Sequence, residues 1–329
     1  MTIHPSIDAR HPAWPTVALP DRQGVVYVAT SRRFLDEART AAAHVRLHNP
    51  GLAICLVSDC AESDPDPFWD DLVPVTHPHF GFRDKILMGL CPYQHFLYLD
   101  ADTRVLAGLE DVFTLLKRFD FAGHQLFEGH DCPLPGIPDA FPEFNGGVLG
   151  FQHSPRLHGF FARWIERFDA YFALNRDGYY HYSNASDQKS LRQTVWESGL
   201  SVAVLGPEYN FTPHHLDFAC ANVRILHGRG EAHLDQLTVR LNRQLGNRVY
   251  IPRLDAVLMD DSQPEELTRA WLMAGLQLLR HAGRALFPIA LRNHLRQQHW
   301  ISRLFLRNRF TESTPENDPK WKAGAPPEA

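Results

Sequence analysis

Runs of apolar residues separated by polar turns occupy the first two thirds of the chain and predict alternating strands and helices. The β-branched run Gly24–Thr30 predicts a buried strand, and the apolar run Leu52–Val57 predicts a second one. Between them, apolar residues recur every three or four positions over Phe34–His48, which predicts a helix that Asn49-Pro50-Gly51 ends. A strand, a helix and a strand in this order predict parallel strands, and such sheets bind ligands at the carboxyl ends of their strands.

The same alternation continues to about residue 227. It predicts strands at Val73–Thr76, His95–Leu99, Phe119–His124, Phe144–Phe151, Val202–Leu205 and Val223–Leu226, and helices at Phe82–Leu90, Leu109–Leu116, Leu157–Phe172 and Asp187–Trp196. A Gly- and Pro-rich stretch, 128–142, predicts a long loop of the kind that often carries function. We therefore expect a loose lead-in at 1–23, one α/β domain at 24–255, a helical Arg-rich extension at 256–310 and a disordered tail at 311–329.

Composition narrows the class of protein. The chain has 329 residues, is 44% hydrophobic and carries a formal charge of −5, which excludes disorder throughout and argues against a nucleic-acid partner held by bulk charge. No apolar stretch approaches the roughly 20 residues of a membrane span, and the N-terminus lacks the apolar region of a secretory signal. Five scattered cysteines without a CxxC pair favour a reducing compartment, so we expect a cytoplasmic protein.

The charge is divided very unevenly along the chain. The segment Leu267–Phe310 contains eight arginines and no Asp, Glu or Lys, and it therefore contributes +8, so the other residues carry −13. Aromatic residues such as Trp271 and Trp300 are interleaved with these arginines, a pattern typical of a helix on an anionic membrane surface. The alternatives are an arm lying on the acidic face of its own domain and an oligomer contact. The membrane interpretation places the protein peripherally on the inner face of the membrane.

Two carboxylates follow the apolar strand His95–Leu99, at Asp100 and Asp102. In an extended chain, residues two apart project to the same side, so these like charges repel unless a cation neutralises them. A hard divalent cation with oxygen ligands is the natural partner. The alternative is a strand end with two solvated aspartates.

The segment resembles the Asp-x-Asp motif of GT-A glycosyltransferases, and further segments agree in order. They are Thr30-Ser31, Asp59, Arg83 or Lys85, Phe144-Asn145-Gly146-Gly147-Val148, Ala185-Ser186-Asp187-Gln188 and Ile225-Leu226-His227-Gly228. The resemblance covers about residues 24–250. It is to retaining enzymes of the glycogenin and lipooligosaccharide galactosyltransferase kind and to the nucleotide-diphospho-sugar transferase domain. It implies a mixed central sheet.

The resemblance also implies roles for individual residues. The expected metal ligands are Asp100, Asp102 and His227, and a mixture of carboxylate and imidazole favours Mn²⁺ over Mg²⁺. The expected donor-binding residues are Thr30, Ser31, Asp59, Lys85, Asp100, Gly146, Gly147 and Arg229. Arg229 is a substitute, because the family has His-x-x-Gly-x-x-Lys and this chain has no lysine at that spacing.

Three residues are expected at the reacting centre. Asn145 would contact a sugar hydroxyl, Asp187 would hold donor hydroxyls, and Gln188, a poor nucleophile, would lie near the anomeric carbon. The implied function is transfer of a sugar from a nucleoside-diphosphate sugar, UDP by resemblance, to a glycan or lipid-linked acceptor with retention. For Asp187 the alternative is a plain helix N-cap, and for Gly146 and Gly147 it is a packing pair.

Two other functions compete. One is a non-catalytic nucleotide- or sugar-binding module on the same fold. The other is a Mg²⁺-dependent phosphohydrolase of the haloacid dehalogenase type, which is disfavoured because Arg104 stands where Thr or Val is expected. The segments His77-Pro78-His79 and His214-His215 lack a zinc spacing with a third ligand, which favours surface roles or supporting contacts around a site over metal binding.

Overall fold

The computed structural model describes residues 1–15, 19–60, 67–126, 134–175, 185–243, 245–259 and 264–286. The chain forms two compact units: the first is Met1–Phe211 with Asn222–Gly228, and the second is Thr212–Ala221 with the chain from Arg229 onward. This division differs from the domain end expected at residue 255. The chain leaves the first unit after Phe211, returns for one strand, and leaves it again, a path that hydrophobic periodicity does not encode.

A nine-stranded sheet forms the centre of the first unit. Its strands are β1 (Thr2–Ile3), β2 (Ile7–Asp8), β3 (Leu19–Ala29), β4 (Ala53–Ser58), β5 (Asp71–Thr76), β6 (Tyr93–Leu99), β8 (Phe121–Gln125), β9 (Phe144–Gln152) and β10 (Val202–Leu205). The order is β1-β5-β4-β3-β6-β9-β8-β10, with β2 also pairing with β5. Neighbouring strands are parallel except at β9, which runs antiparallel to both β6 and β8. The expected α/β class with a mixed central sheet is confirmed.

Helices cover both faces of this sheet. They are α1 (Arg32–His48), α2 (Phe82–Lys85), α3 (Glu110–Leu116), α4 (Pro155–Phe172) and α5 (Asp187–Ser198). Side chains alternate along β3, so Val25 and Tyr27 pack in the core under α1 and α3, whereas Val26 packs in the core under α4 and α5. The aromatic stripe of α4 lies in that second core, with Trp164 fully buried.

The helix predicted over Phe82–Leu90 is shorter than expected. Only α2 is α-helical, and Ile86–Leu90 forms a tighter 3₁₀ turn. Gly89 lies so close to α4 that an added Cβ would be 2.5 Å from the Phe161 ring. This close packing and the approaching Pro92, which disfavours helix in the residue before it, explain the change.

The N-terminal residues are tied to the sheet rather than forming only a loose lead-in. Both β1 and β2 pair in parallel with β5, His4 Nε2 lies 3.0 Å from Asp71 Oδ1, and Arg83 donates to the Ala9 carbonyl. Strands of two residues are too short for a periodic pattern, which is why the sequence did not predict them.

A second, small ribbon positions the carboxylates that follow β6. The chain turns through Asp100–Asp102 into β7 (Thr103–Val105), which pairs antiparallel with β12 (Ile225–His227) and places His227 opposite Thr103. The Gly228 amide donates to the Asp102 carbonyl at 2.9 Å. Residues more than 120 positions apart in the sequence therefore meet at the carboxyl end of β6.

The second unit is built on a three-stranded antiparallel sheet of β11 (Asp217–Ala219), β13 (Arg248–Ile251) and β14 (Ala256–Met259). Two helices accompany it, α6 (Glu231–Asn242) and α7 (Pro264–Leu286). None of the helices in the described residues combines the length and apolar character needed to cross a membrane. The predicted tail 311–329 lies outside the described residues.

Candidate active site

Asp100, Asp102 and His227 form one cluster. His227 Nε2 lies 3.3 Å from Asp102 Oδ1 and 3.5 Å from Asp100 Oδ2. Each residue offers a ligand atom, and these atoms all lie within 4.8 Å of one another. The three side chains are 13–15% exposed, so the cluster is open to a ligand but largely removed from solvent. The predicted ligands are brought together, and among the described residues no second cluster of this kind occurs.

The glycine pair of β9 makes room for two of the site side chains. A Cβ on Gly147 would overlap the His227 ring, lying 2.6 Å from its Nδ1, and a Cβ on Gly146 would overlap the Asp187 carboxylate. The Gly147 carbonyl also accepts from the Asp100 amide at 2.8 Å, which fixes the backbone here. The space left by the missing side chains is therefore filled from within the protein.

Lys85 and Tyr98 hold Asp100 from two sides. Lys85 Nζ donates to Asp100 Oδ2 at 2.7 Å, and the Tyr98 hydroxyl donates to Asp100 Oδ1 at 2.5 Å. Of the two basic residues that the sequence offered, Arg83 is used elsewhere, because it pairs with Asp169 on α4 at 2.7 Å. Lys85 is therefore the cation that belongs to the site.

Asp187 stands at the start of α5, with its side chain 3% exposed. The N-cap is Ser186, whose hydroxyl accepts from the Gln188 amide at 3.3 Å, so Asp187 is not needed as the cap. Asp187 Oδ2 is buried without a hydrogen-bond partner, 4.0 Å from Lys85 Nζ. Burial raises the pKa of this carboxyl, and the charge of Asp100 adds to the effect while Lys85 opposes it. A buried oxygen without a partner is suited to receiving a ligand hydroxyl.

The charges of the cluster perturb one another strongly. Burial alone would lower the pKa of His227, but Asp102 and Asp100 outweigh it and raise that pKa to about 9. Burial opposes ionisation of Asp100, yet Lys85 and His227 outweigh it and hold the pKa of Asp100 below its ordinary value. A proton on His227 thus balances carboxylate charge that a divalent cation would balance in its place.

The donor set fits a divalent cation of the Mn²⁺ or Mg²⁺ class. Two carboxylates and one imidazole converge, and three protein ligands leave positions for other oxygen atoms. His227 Nδ1 lies 3.0 Å from Asn210 Oδ1. Because an amide oxygen can only accept, Nδ1 carries a proton and the lone pair of neutral His227 is on Nε2, facing the carboxylates.

Asn210 was not predicted from the sequence. It is fully buried, its Oδ1 contacts and orients His227, and its Nδ2 has no hydrogen-bond partner. No motif marks Asn210, because its partner His227 lies 17 residues further along the chain, at the end of β12.

Replacing Asn210 by Leu is expected to weaken Mn²⁺ binding about 10- to 100-fold, because His227 loses the acceptor that fixes its ring. Asn210→Asp keeps an acceptor oxygen and removes the unpartnered NH₂ group, so it should restore the affinity. Electron paramagnetic resonance titration of free Mn²⁺ measures both variants, with thermal unfolding as the check on folding. Equal affinity in wild type and Asn210→Leu would contradict this role.

The residues predicted for the nucleotide lie at the ends of β3 and β4. Asp59 Oδ1 accepts from the Ser31 amide at 2.9 Å, and Ser31 has a positive φ of 113°. The Thr30 hydroxyl donates to Asp84 at 2.8 Å, and Asp84 also accepts from backbone amides of the preceding loop. These contacts shape the carboxyl edge of the sheet beside β6, the strand that leads into Asp100 and Asp102.

The remaining predicted site residues lie on different segments of the chain. Asn145 is buried on β9 and accepts from the Gly147 amide at 2.8 Å through Oδ1, while Gln188 is half-buried on the first turn of α5. Arg229 begins the segment that belongs to the second unit. The pairs at His77 and His214 are not part of any metal-ligand group in the described chain.

Comparison with known proteins gives matches among solved structures. The galactosyltransferase LgtC, in complex with donor and acceptor sugar analogues, has a TM-score of 0.45 at 15% identity, covering 64% of this chain and 88% of its own. The glycosyltransferase GlyE of Streptococcus pneumoniae TIGR4 has 0.43 at 17%, covering 64% and 56%. Mouse xyloside xylosyltransferase 1 has 0.40 at 15%, covering 63% and 98%. No protein-family model and no curated protein matches the chain.

Proposed function

We propose that this protein is a metal-dependent glycosyltransferase. In this proposal it transfers a sugar from a nucleoside-diphosphate sugar, UDP in the first instance, to a glycan or lipid-linked acceptor. The observation that carries the proposal is the Asp100–Asp102–His227 cluster, placed at the carboxyl end of a sheet strand beside two side-chain-free positions and a buried aspartate.

The cluster supports chemistry in which a diphosphate departs. A bound Mn²⁺ or Mg²⁺ would be held by Asp100, Asp102 and His227 and would supply a Lewis acid that neutralises the departing diphosphate. Lys85 Nζ donates to Asp100 Oδ2 at 2.7 Å. This contact would keep the Asp100 carboxylate ionised and would fix its orientation. Tyr98 restrains the other oxygen of the same carboxylate.

The donor sugar would lie between β9 and the start of α5. Asp187 offers a buried, unpartnered oxygen to a sugar hydroxyl, and Asn145 and Gln188 flank it on the two elements. Gln188 carries an amide, which is a poor nucleophile. We therefore propose attack by the acceptor on the same face as the leaving diphosphate, with retention.

The nucleotide would lie at the ends of β3 and β4. Thr30, Ser31 and Asp59 form this edge, and parallel sheets bind ligands at such carboxyl ends. Gly146 and Gly147 of β9 leave the space that Asp187 and His227 occupy, and these two side chains would then face the donor.

A screen of nucleoside-diphosphate sugars with purified protein and an acceptor mixture tests the proposal. We expect release of a nucleoside diphosphate with one donor, dependent on Mn²⁺ and abolished by a chelator. Donor binding without any release, for every donor, would identify a non-catalytic binding module. Release of inorganic phosphate instead would identify a phosphohydrolase. Either result would overturn the proposal, and NMR of the product's anomeric proton tests retention.

A further inference from the structure

Helix α7 of the second unit is attached to that unit by its polar side. Glu266 accepts from Arg240 at 2.7 Å, and Arg269 donates to Asp255 at 3.0 Å. Gln277 donates to a backbone carbonyl of the same unit. Arg240 itself bridges Asp255 and Glu266, so the polar contacts form one connected network. An amphipathic helix of a water-soluble domain normally packs the other way, with its apolar side inward.

The apolar side of α7 faces outward as a consequence. Five of its large apolar residues are exposed by 45 to 80%, and they are Leu267, Trp271, Leu272, Leu278 and Leu279. Met273 and Leu276 of the same helix are half-buried. Leu267, Trp271 and Leu278 are spaced by four and then seven residues and therefore form one stripe along the helix, with Leu272 and Leu279 beside it. A tryptophan exposed by 80% at the centre of such a stripe is suited to a membrane interface, where Trp rings are enriched.

The charge of the surrounding sequence indicates what covers this face. From Leu267 to Phe310 the sequence holds eight arginines and no Asp, Glu or Lys. An anionic lipid surface would attract these arginines while it takes up the apolar stripe. A symmetric dimer through the same face would instead bring two such segments of +8 together, and their like charges would repel.

We propose that the outward face of α7 docks the protein on an anionic membrane surface. The proposal goes beyond sugar transfer and stands independently of it, because it rests on the orientation of α7 and not on the active site. It gives the protein a lipid-facing side, which is what a lipid-linked acceptor would require.

Flotation of the full-length protein with phosphatidylglycerol-containing vesicles tests the docking. We expect the wild type to float with these vesicles and to remain unbound with pure phosphatidylcholine, with binding that falls as salt is raised. The double variant Trp271→Gln/Leu278→Gln should reduce the bound fraction at least about tenfold. The matched control is Val239→Gln, which alters an equally exposed apolar residue on α6 and should bind like the wild type.

Other occupants would give different results. Unchanged flotation of the double variant, or equal binding to neutral vesicles, would overturn the proposal. A concentration-dependent dimer in sedimentation, abolished by the double variant and without vesicle binding in the wild type, would show that a second copy covers the face. Thermal unfolding and Mn²⁺ binding of the double variant should match the wild type, which separates loss of docking from loss of folding.

Discussion

Replacing Asp102 by Asn is expected to abolish Mn²⁺-dependent release of nucleoside diphosphate and to weaken Mn²⁺ binding by at least about 100-fold. Asp102 Oδ1 lies 3.3 Å from His227 Nε2 and supplies one of the two carboxylates of the cluster. Asparagine keeps the shape and one acceptor oxygen but removes the charge that attracts a divalent cation. The stability of the protein should change little, because the substitution removes repulsion with Asp100 and attraction to the charged His227 together, and these two effects oppose each other.

Asp102 is a cleaner target than Asp100. Removing the charge of Asp100 would also leave Lys85 and Tyr98 without their partner, so a folding defect and a metal defect would be mixed. The matched control is Asp36→Asn, which alters an exposed aspartate on α1 that pairs with Arg32 and Arg39 of its own helix. Isothermal calorimetry and a coupled assay for released diphosphate measure the outcome. An Asp102→Asn variant with wild-type affinity and turnover would show that the cluster is not a metal site.

The candidate site is held together by its own cations. Lys85 reaches Asp100 at 2.7 Å and approaches Asp187, while the raised pKa of His227 keeps that imidazole charged near neutral pH. These two positive charges offset three carboxylates that would otherwise repel one another in a largely buried space. Asp100, Asp102 and His227 would hold a divalent cation, which would balance the carboxylate charge that the His227 proton otherwise balances, with Lys85 still paired to Asp100.

Much of the first unit could be predicted from local pattern. The apolar runs at Gly24–Thr30 and His95–Leu99 became central strands, and the three- and four-residue spacing of Leu157–Phe172 became α4. Each of these elements buries one or both of its faces. Burial requires apolar residues at regular positions, and this regular pattern can be recognised in a single sequence.

What the sequence could not predict are contacts between distant segments. β7 has three residues and exists because β12 pairs with it, and the small sheet of the second unit consists of strands of three or four residues. In the site, the motifs supplied Asp100, Asp102 and His227, but Tyr98 and Asn210 are set only by folding. Whether Arg83 or Lys85 belongs to the site also depended on Asp169, an α4 residue that pairs with Arg83.

Gly147→Ala is expected to displace the His227 side chain from the cluster. The added Cβ would overlap the His227 ring, and β9 cannot retreat easily because the Gly147 carbonyl is hydrogen-bonded to the Asp100 amide. His227 must therefore rotate out of the cluster, and we expect Mn²⁺ affinity and diphosphate release each to fall at least about 100-fold. Overpacking of a buried strand should also cost about 1–3 kcal/mol in the free energy of unfolding.

A double-variant cycle separates the loss of His227 from a general folding defect. In a His227→Ala background the Gly147 Cβ meets no ring, so Gly147→Ala should reduce Mn²⁺ affinity no further. Gly159→Ala is the matched control, because a Cβ on this exposed α4 glycine meets nothing within 4 Å and should stabilise the helix by up to about 1 kcal/mol. Additive losses in the two backgrounds would mean that Gly147 acts on the site by some route other than His227.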